Sequence, residues 1–187
     1  MMAVRSLNYM QNTLRTTYLA VLLTQSLAVP DAQVAWVQLI TSAVTLAMLL
    51  LGVPLVSRRL PPQGAMIGGF ACQIAACAIL VMMPTGSWPL ILLSVALHGV
   101  GAGMAGPFLE SAAALSMPEA DRATANAVMG VILLLFTLPS GYLGGVMATV
   151  DNRLPFIGII GVLALCIALL LLLNARDRRA QRAGAGD

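Results

Sequence analysis

Two residues in this chain of 187 can exchange a proton from within an apolar run: His98, its single histidine, and Glu110, the one acid embedded in such a run. An imidazole ordinarily titrates near pH 6.5. An ionisable group at the middle of a bilayer costs about 2.5–3.5 kcal/mol on insertion scales, so such residues are functional candidates by default. Glu110 lies near the end of its run, about 8 Å in at 1.5 Å per residue. It can bind a proton or a cationic solute, or it reaches the interface and pairs with an arginine such as Arg122. His98 lies near the middle of the same run and either lines a cavity or makes an interhelical hydrogen bond beside Gly99. With no second His, Cys or acid at ligand spacing, it is not a metal site. Cys72, Cys77 and Cys166 are an odd number of small apolar residues and give no disulfide or metal framework. Gln25, Gln38 and Gln73 are embedded amides; Gln25 is the best solute contact by position, and Gln73 reads as packing glue. Arg15 and Tyr18 suggest a gate at the inner end of the first run, although an arginine near a helix end usually snorkels.

The elements that must position these groups are membrane helices. The chain is 59% hydrophobic and 9% charged, with a mean hydropathy of +0.92. A soluble domain carries about 25% charged residues, and disordered chains are charge-rich, so both classes are excluded. The cations are all arginine and do not cluster like a nucleic-acid footprint. The polar start lacks the short apolar core and cleavage site of a signal peptide. About 20 apolar residues span a bilayer as a helix, and the charge-free stretches give six spans, at about 10–29, 33–56, 63–83, 90–115, 122–149 and 154–173. A basic tail, 174–187, follows and suits anionic lipid. The runs are continuous, unlike the alternating strands of a barrel. Alternate connections put nine arginines on one side and only Arg153 on the other. That bias predicts a multi-pass protein of the cell (inner) membrane with both termini cytoplasmic.

Apolar burial drives helix association weakly in lipid, so small residues must permit close approach. Gly64/Gly68, Gly99/Gly103 and Gly141/Gly145 supply G-x-x-x-G pairs on the third, fourth and fifth spans. Pro139 removes a backbone donor from the fifth span and predicts a bend. Ser116-Met-Pro-Glu119 has the spacing of a capping box for that helix.

The stretch from His98 to Pro107, rich in glycine, leads to Pro118-Glu119-Ala-Asp121-Arg122-Ala-Thr-Ala-Asn126 and then Gly141-Tyr-Leu-Gly144-Gly145. This resembles the C-terminal half of a major facilitator superfamily transporter, with the six spans matching that family's seventh to twelfth. Gly52 and Arg58 loosely fit the family's G-x-L-x-D-R-x-G-R-R loop. Ser57 stands where the acid belongs and Leu60 where a glycine does, which puts that motif's charge relay in doubt.

The resemblance implies an all-α membrane protein with a 3+3 inverted-repeat bundle and a solute site facing a second bundle. The first and fourth helices would line the cavity, the second and fifth would face the partner, and the third and sixth would support. It also implies secondary transport of small organic solutes, exported in exchange for protons, with Glu110, His98, Gln25 and Tyr18 along the pathway. Arg15, Arg58, Arg59, Glu119, Asp121 and Arg122 become candidates for a cytoplasmic gate. Expected partners are lipid, a small-molecule substrate and a second six-helix bundle, either another copy or a separate N-terminal half; no nucleic acid and no cofactor are expected. The opening Met1-Met2-Ala-Val-Arg5 shows no preceding half, so a truncated or non-transporting membrane partner is the alternative. An ATP-driven pump would need a G-x-x-x-x-G-K-[ST] loop, which is missing. An intramembrane serine protease would need a nucleophile facing His98, and Ser140 lacks a G-x-S context.

Overall fold

The computed structural model describes residues 1–115 and 122–184, and every regular element in them is helical. Six long helices run in antiparallel succession. Helix α1 is Met2–Val21, prolonged by a π-helical turn, Leu22–Ser26. Then come α2 (Asp31–Ser57), α3 (Pro62–Met82), α4 (Trp88–Leu115), α5 (Arg122–Val150) and α6 (Leu154–Gly184). Among the described residues, five of these, α2 to α6, contain stretches long and apolar enough to cross a membrane.

Helix α1 departs from the expected run at 10–29. It begins at Met2, so the polar start is helical, and its buried stripe of Val4, Asn8, Gln11, Arg15 and Leu19 is largely polar. Hydropathy scanning passes over such a helix because its polar groups turn toward protein. Its exposed face carries Tyr9, Thr16, Thr17 and Ala20. The threonines at 13, 16 and 24 donate back to the carbonyls of Tyr9, Asn12 and Ala20, four residues earlier.

Breakers explain the joints. Helix α3 starts with Pro62 after the extended Pro61, where a missing N–H costs nothing. In α2, a π-helical turn over Met48–Gly52 precedes Pro54, where the ladder must adjust because the proline has no N–H to donate to the preceding turn. Asp31 lies in the first turn of α2, where a carboxylate suits the helix dipole. The turn into α4 uses Gly86 at φ +78°, in the left-handed region open to glycine, and its N–H donates to Leu27 O. Helix α6 starts from an Asp151 turn in which Asp151 Oδ1 accepts the Arg153 N–H at 2.8 Å.

The helices neighbour one another in the order α2–α4–α3–α6–α1–α5, with α1 and α4 touching lightly across the middle. The apolar core lies between α1, α3, α4 and α6, around Met66, Phe70, Phe156, Ile159 and Leu163. Helices α2 and α5 are the least buried and present Leu50, Leu51, Leu134, Leu135 and Leu138 outward.

Close approach uses glycines differently from their spacing in sequence. The closest approach of one backbone to another is Gly69 of α3 on Gly101 of α4, where a Cβ on Gly101 would come 2.5 Å from Gly69 O. Gly99 and Gly103 form one face, as their spacing suggests, but they receive Val44 and Met48 of α2. A Cβ on Gly141 would meet nothing within 4 Å, although its carbonyl receives the Tyr18 hydroxyl; the close helix contact is at Gly144, which lies against Leu14 and Tyr18 of α1, with Gly145 beside the Tyr18 hydroxyl. The pairs differ because a four-residue spacing identifies a helix stripe, while the neighbour's side chains decide whether that stripe is covered.

Candidate functional site

A polar cluster lies halfway along the bundle, where α1, α3 and α4 meet. Gln11 Nε2 donates to Gln73 Oε1 at 3.0 Å and to Asn8 Oδ1 at 3.1 Å, which joins α1 to α3. Arg15, one turn beyond Gln11 on the same stripe, reaches the level of Cys77, one turn beyond Gln73. Two contacts fix α4 against α3: a Cβ on Gly101 would meet Gln73 Cγ at 2.7 Å, and Ser94 Oγ donates to Ala76 O at 2.9 Å. His98, between these two residues on α4, stands at the level of Gln73 to Cys77. The Arg15 guanidinium lies within electrostatic reach of both Cys77 and His98.

Burial distinguishes this cluster from a surface group. Arg15 is 2% exposed and His98 3%, and Gln11, Gln73 and Ser94 are equally enclosed. Arg15 Nε and Nη2, His98 Nδ1 and Gln11 Oε1 have no hydrogen-bond partner. A buried polar group without a partner costs about 1–3 kcal/mol, and more when it is charged. An arginine remains charged in proteins.

Arg15 therefore does not snorkel to a helix end. Because α1 starts at Met2, Arg15 falls at mid-helix, facing inward. His98 and Arg15 both fall within this enclosed cluster; Gln25, Gln38, Tyr18 and Glu110 do not. Gln25 lies exposed on the π-helical turn at the far end of α1, where Asn152 Nδ2 donates to its Oε1 at 3.2 Å. Gln38 is exposed on α2. Tyr18 donates to Gly141 O at 2.5 Å and ties α1 to α5. Ser140 is buried, its hydroxyl donating to Thr137 O at 2.6 Å.

Glu110 belongs to a second cluster at the arginine-rich end. Its carboxylate pairs with Arg5, not Arg122: Arg5 Nη2 lies 2.6 Å from Oε2 and Arg5 Nε donates to Oε1 at 2.9 Å. Tyr9 OH donates to Oε1 at 3.4 Å, and the Arg5 guanidinium stands 5.9 Å from the Tyr9 ring centroid. Arg58 and Arg59 are exposed in the turn between α2 and α3 at this end. Glu119, Asp121 and the Ser116–Glu119 capping box lie outside the described residues, as does the side chain of Arg122. At the opposite end, Arg153 donates from Nη1 to Val81 O at 3.0 Å and from Nη2 to Met83 O at 3.4 Å, covering the last carbonyls of α3.

Sequence reading missed Asn8, Gln11 and Arg5. The period that places Asn8, Gln11 and Arg15 on one stripe is present in the sequence, but the expected first span begins only at about residue 10 and leaves Arg5 and Asn8 outside it. A cavity of about 410 Å³ opens near the arginine-rich end between α3 and α4, lined by Pro61, Met66, Phe108 and Leu115 among others. It is apolar and separate from the buried cluster.

Comparison with curated proteins finds no match. The sequence pattern of one family, by contrast, matches residues 1–187, the full length given. That match, on a helical bundle with five apolar helices and a polar group sealed at its centre, places the chain in the Major Facilitator Superfamily of membrane transporters.

Proposed function

We propose that the chain is the C-terminal six-helix half of a secondary transporter that exports small organic solutes in exchange for protons. The observation that carries this reading is the burial of two basic side chains without hydrogen-bond partners at mid-bundle, Arg15 on α1 and His98 on α4. These are the helices that the family architecture sets beside the transport path. Ionisable groups are costly at that depth, which makes them functional candidates by default.

The order α2–α4–α3–α6–α1–α5 supports a 3+3 repeat. Exchanging α1 with α4, α2 with α5 and α3 with α6 reproduces the same order read backwards, as expected of two triplets related by a twofold axis in the membrane plane. The hydroxyl-rich outer face of α1 supports a second bundle, either another copy or a separate half. Tyr9, Thr16 and Thr17 suit a water-filled cleft better than lipid, and the apolar faces of α2 and α5 flank them. The distribution of arginines supports cytoplasmic termini in an inner membrane.

Energised inside-out vesicles with a pH-sensitive dye test the reading. Addition of a transported solute should dissipate part of the proton gradient with the wild type and fail to do so with His98→Ala. If His98→Ala and Glu110→Gln both leave solute-driven proton release unchanged, neither residue couples transport to protons. If a broad panel of solutes moves no protons even when a second bundle is supplied, the transporter reading fails.

A further inference from the structure

We infer that the mid-bundle cluster is a carboxylate-binding site, with Arg15 as its fork. The two unpartnered guanidinium nitrogens, Nε and Nη2, form one edge of the group, and that edge offers parallel N–H donors to the two oxygens of a single carboxylate. His98 Nδ1, also unpartnered, comes from the opposite helix. An imidazole carrying its proton there gives the bound oxygen a third donor. Gln11 Oε1 is an acceptor and takes no part.

The charge balance points the same way. A guanidinium withdrawn from water needs a counter-charge. Among the described residues the one ion pair is Arg5–Glu110, at the end of the bundle. Asp31 begins α2 and Asp151 lies in the turn before α6, both away from mid-bundle. A monovalent organic acid neutralises the single charge, whereas an amine or a neutral solute does not. The nitrogens are sealed off, so loading requires α1 to part from α4, and these two helices touch lightly.

This inference rests on the transporter reading for its meaning, since it narrows the solutes to those bearing a carboxylate. Its test reads binding alone. The thermal midpoint of the full chain in detergent is followed against sodium acetate, with sodium chloride at equal ionic strength and neutral acetamide as controls. A ligand that binds only the folded state raises the midpoint in proportion to its saturation. Acetate should raise it by a few degrees and saturate, with acetamide and chloride inert. Arg15→Gln should abolish the response, and Arg15→Lys, which keeps the charge but loses the fork, should lose most of it. Equal effects of acetate and acetamide, equal effects of acetate and chloride, or an undiminished acetate response in Arg15→Gln would each overturn the site. Formate and larger monocarboxylates competing with acetate would indicate a solute's carboxylate; acetate and formate binding while larger acids fail would indicate a small resident anion on the same fork. Acetate binding in a chain that transports nothing would leave the site standing and remove the transport reading.

Discussion

Among single residues, the strongest contrast is between two arginines on one helix. Arg5 has a carboxylate partner at 2.6 Å and stands at the rim; Arg15 has none and is sealed inside. The Glu110 side chain is 44% exposed, so the Arg5 pair should add little to stability. Partly exposed pairs contribute about 0–1 kcal/mol. A double-mutant cycle of Arg5→Gln and Glu110→Gln, followed by thermal or denaturant unfolding, should return a coupling energy in that range. Arg153 is expected to matter about as much through a different interaction. Arg153→Ala frees the Val81 and Met83 carbonyls and should cost about 1 kcal/mol, measured as a lower unfolding midpoint, while Arg153→Lys recovers part of it. Sequence showed that His98 and Glu110 were unusual. It could not show that Glu110 meets Arg5, because the partners are 105 positions apart and spacing carries no information about contacts between helices.

At the level of elements, hydropathy made α2 to α6 legible because these helices turn apolar faces outward. Helix α1 was legible only in part. It is amphipathic in the reverse sense, with Gln11 and Arg15 inward and its threonines outward, so an apolar window slides along it and settles too far toward Val29. The glycine pattern was half legible for a related reason. It located Gly99 and Gly103 as a packing face but said nothing of Gly69, which has no glycine four residues away and still makes the closest backbone approach. Gly101→Ala should therefore be damaging: the new Cβ falls 2.5 Å from a backbone carbonyl that has nowhere to go. Overpacking of this kind costs about 1–3 kcal/mol, and the expected result is a clear drop in the unfolding midpoint and in folded yield. Gly141→Ala meets nothing within 4 Å and should match the wild type on both measures.

For the whole molecule, the proposed second bundle would meet the exposed apolar faces of α2 and α5 and the hydroxyl face of α1. If another copy supplies that bundle, the chain in nanodiscs should run at twice its mass of 19.5 kDa. Cysteine placed at Leu51 or Leu135 should then cross-link between copies, whereas cysteine at Leu165 on α6 should stay monomeric. The backward-reading helix order has a consequence for how the chain enters the bilayer. A bundle whose neighbours keep the same sequence when turned over has nearly the same silhouette either way up, so shape offers the insertion machinery little guidance. Orientation then rests on a few guanidinium groups at the helix ends. Replacing Arg58 and Arg59 with alanine while adding lysines beside Asn152 should yield a mixed population, read by labelling terminal cysteines from each side of the membrane. A fold this indifferent to up and down leaves its orientation to the few arginines that stand at its helix ends.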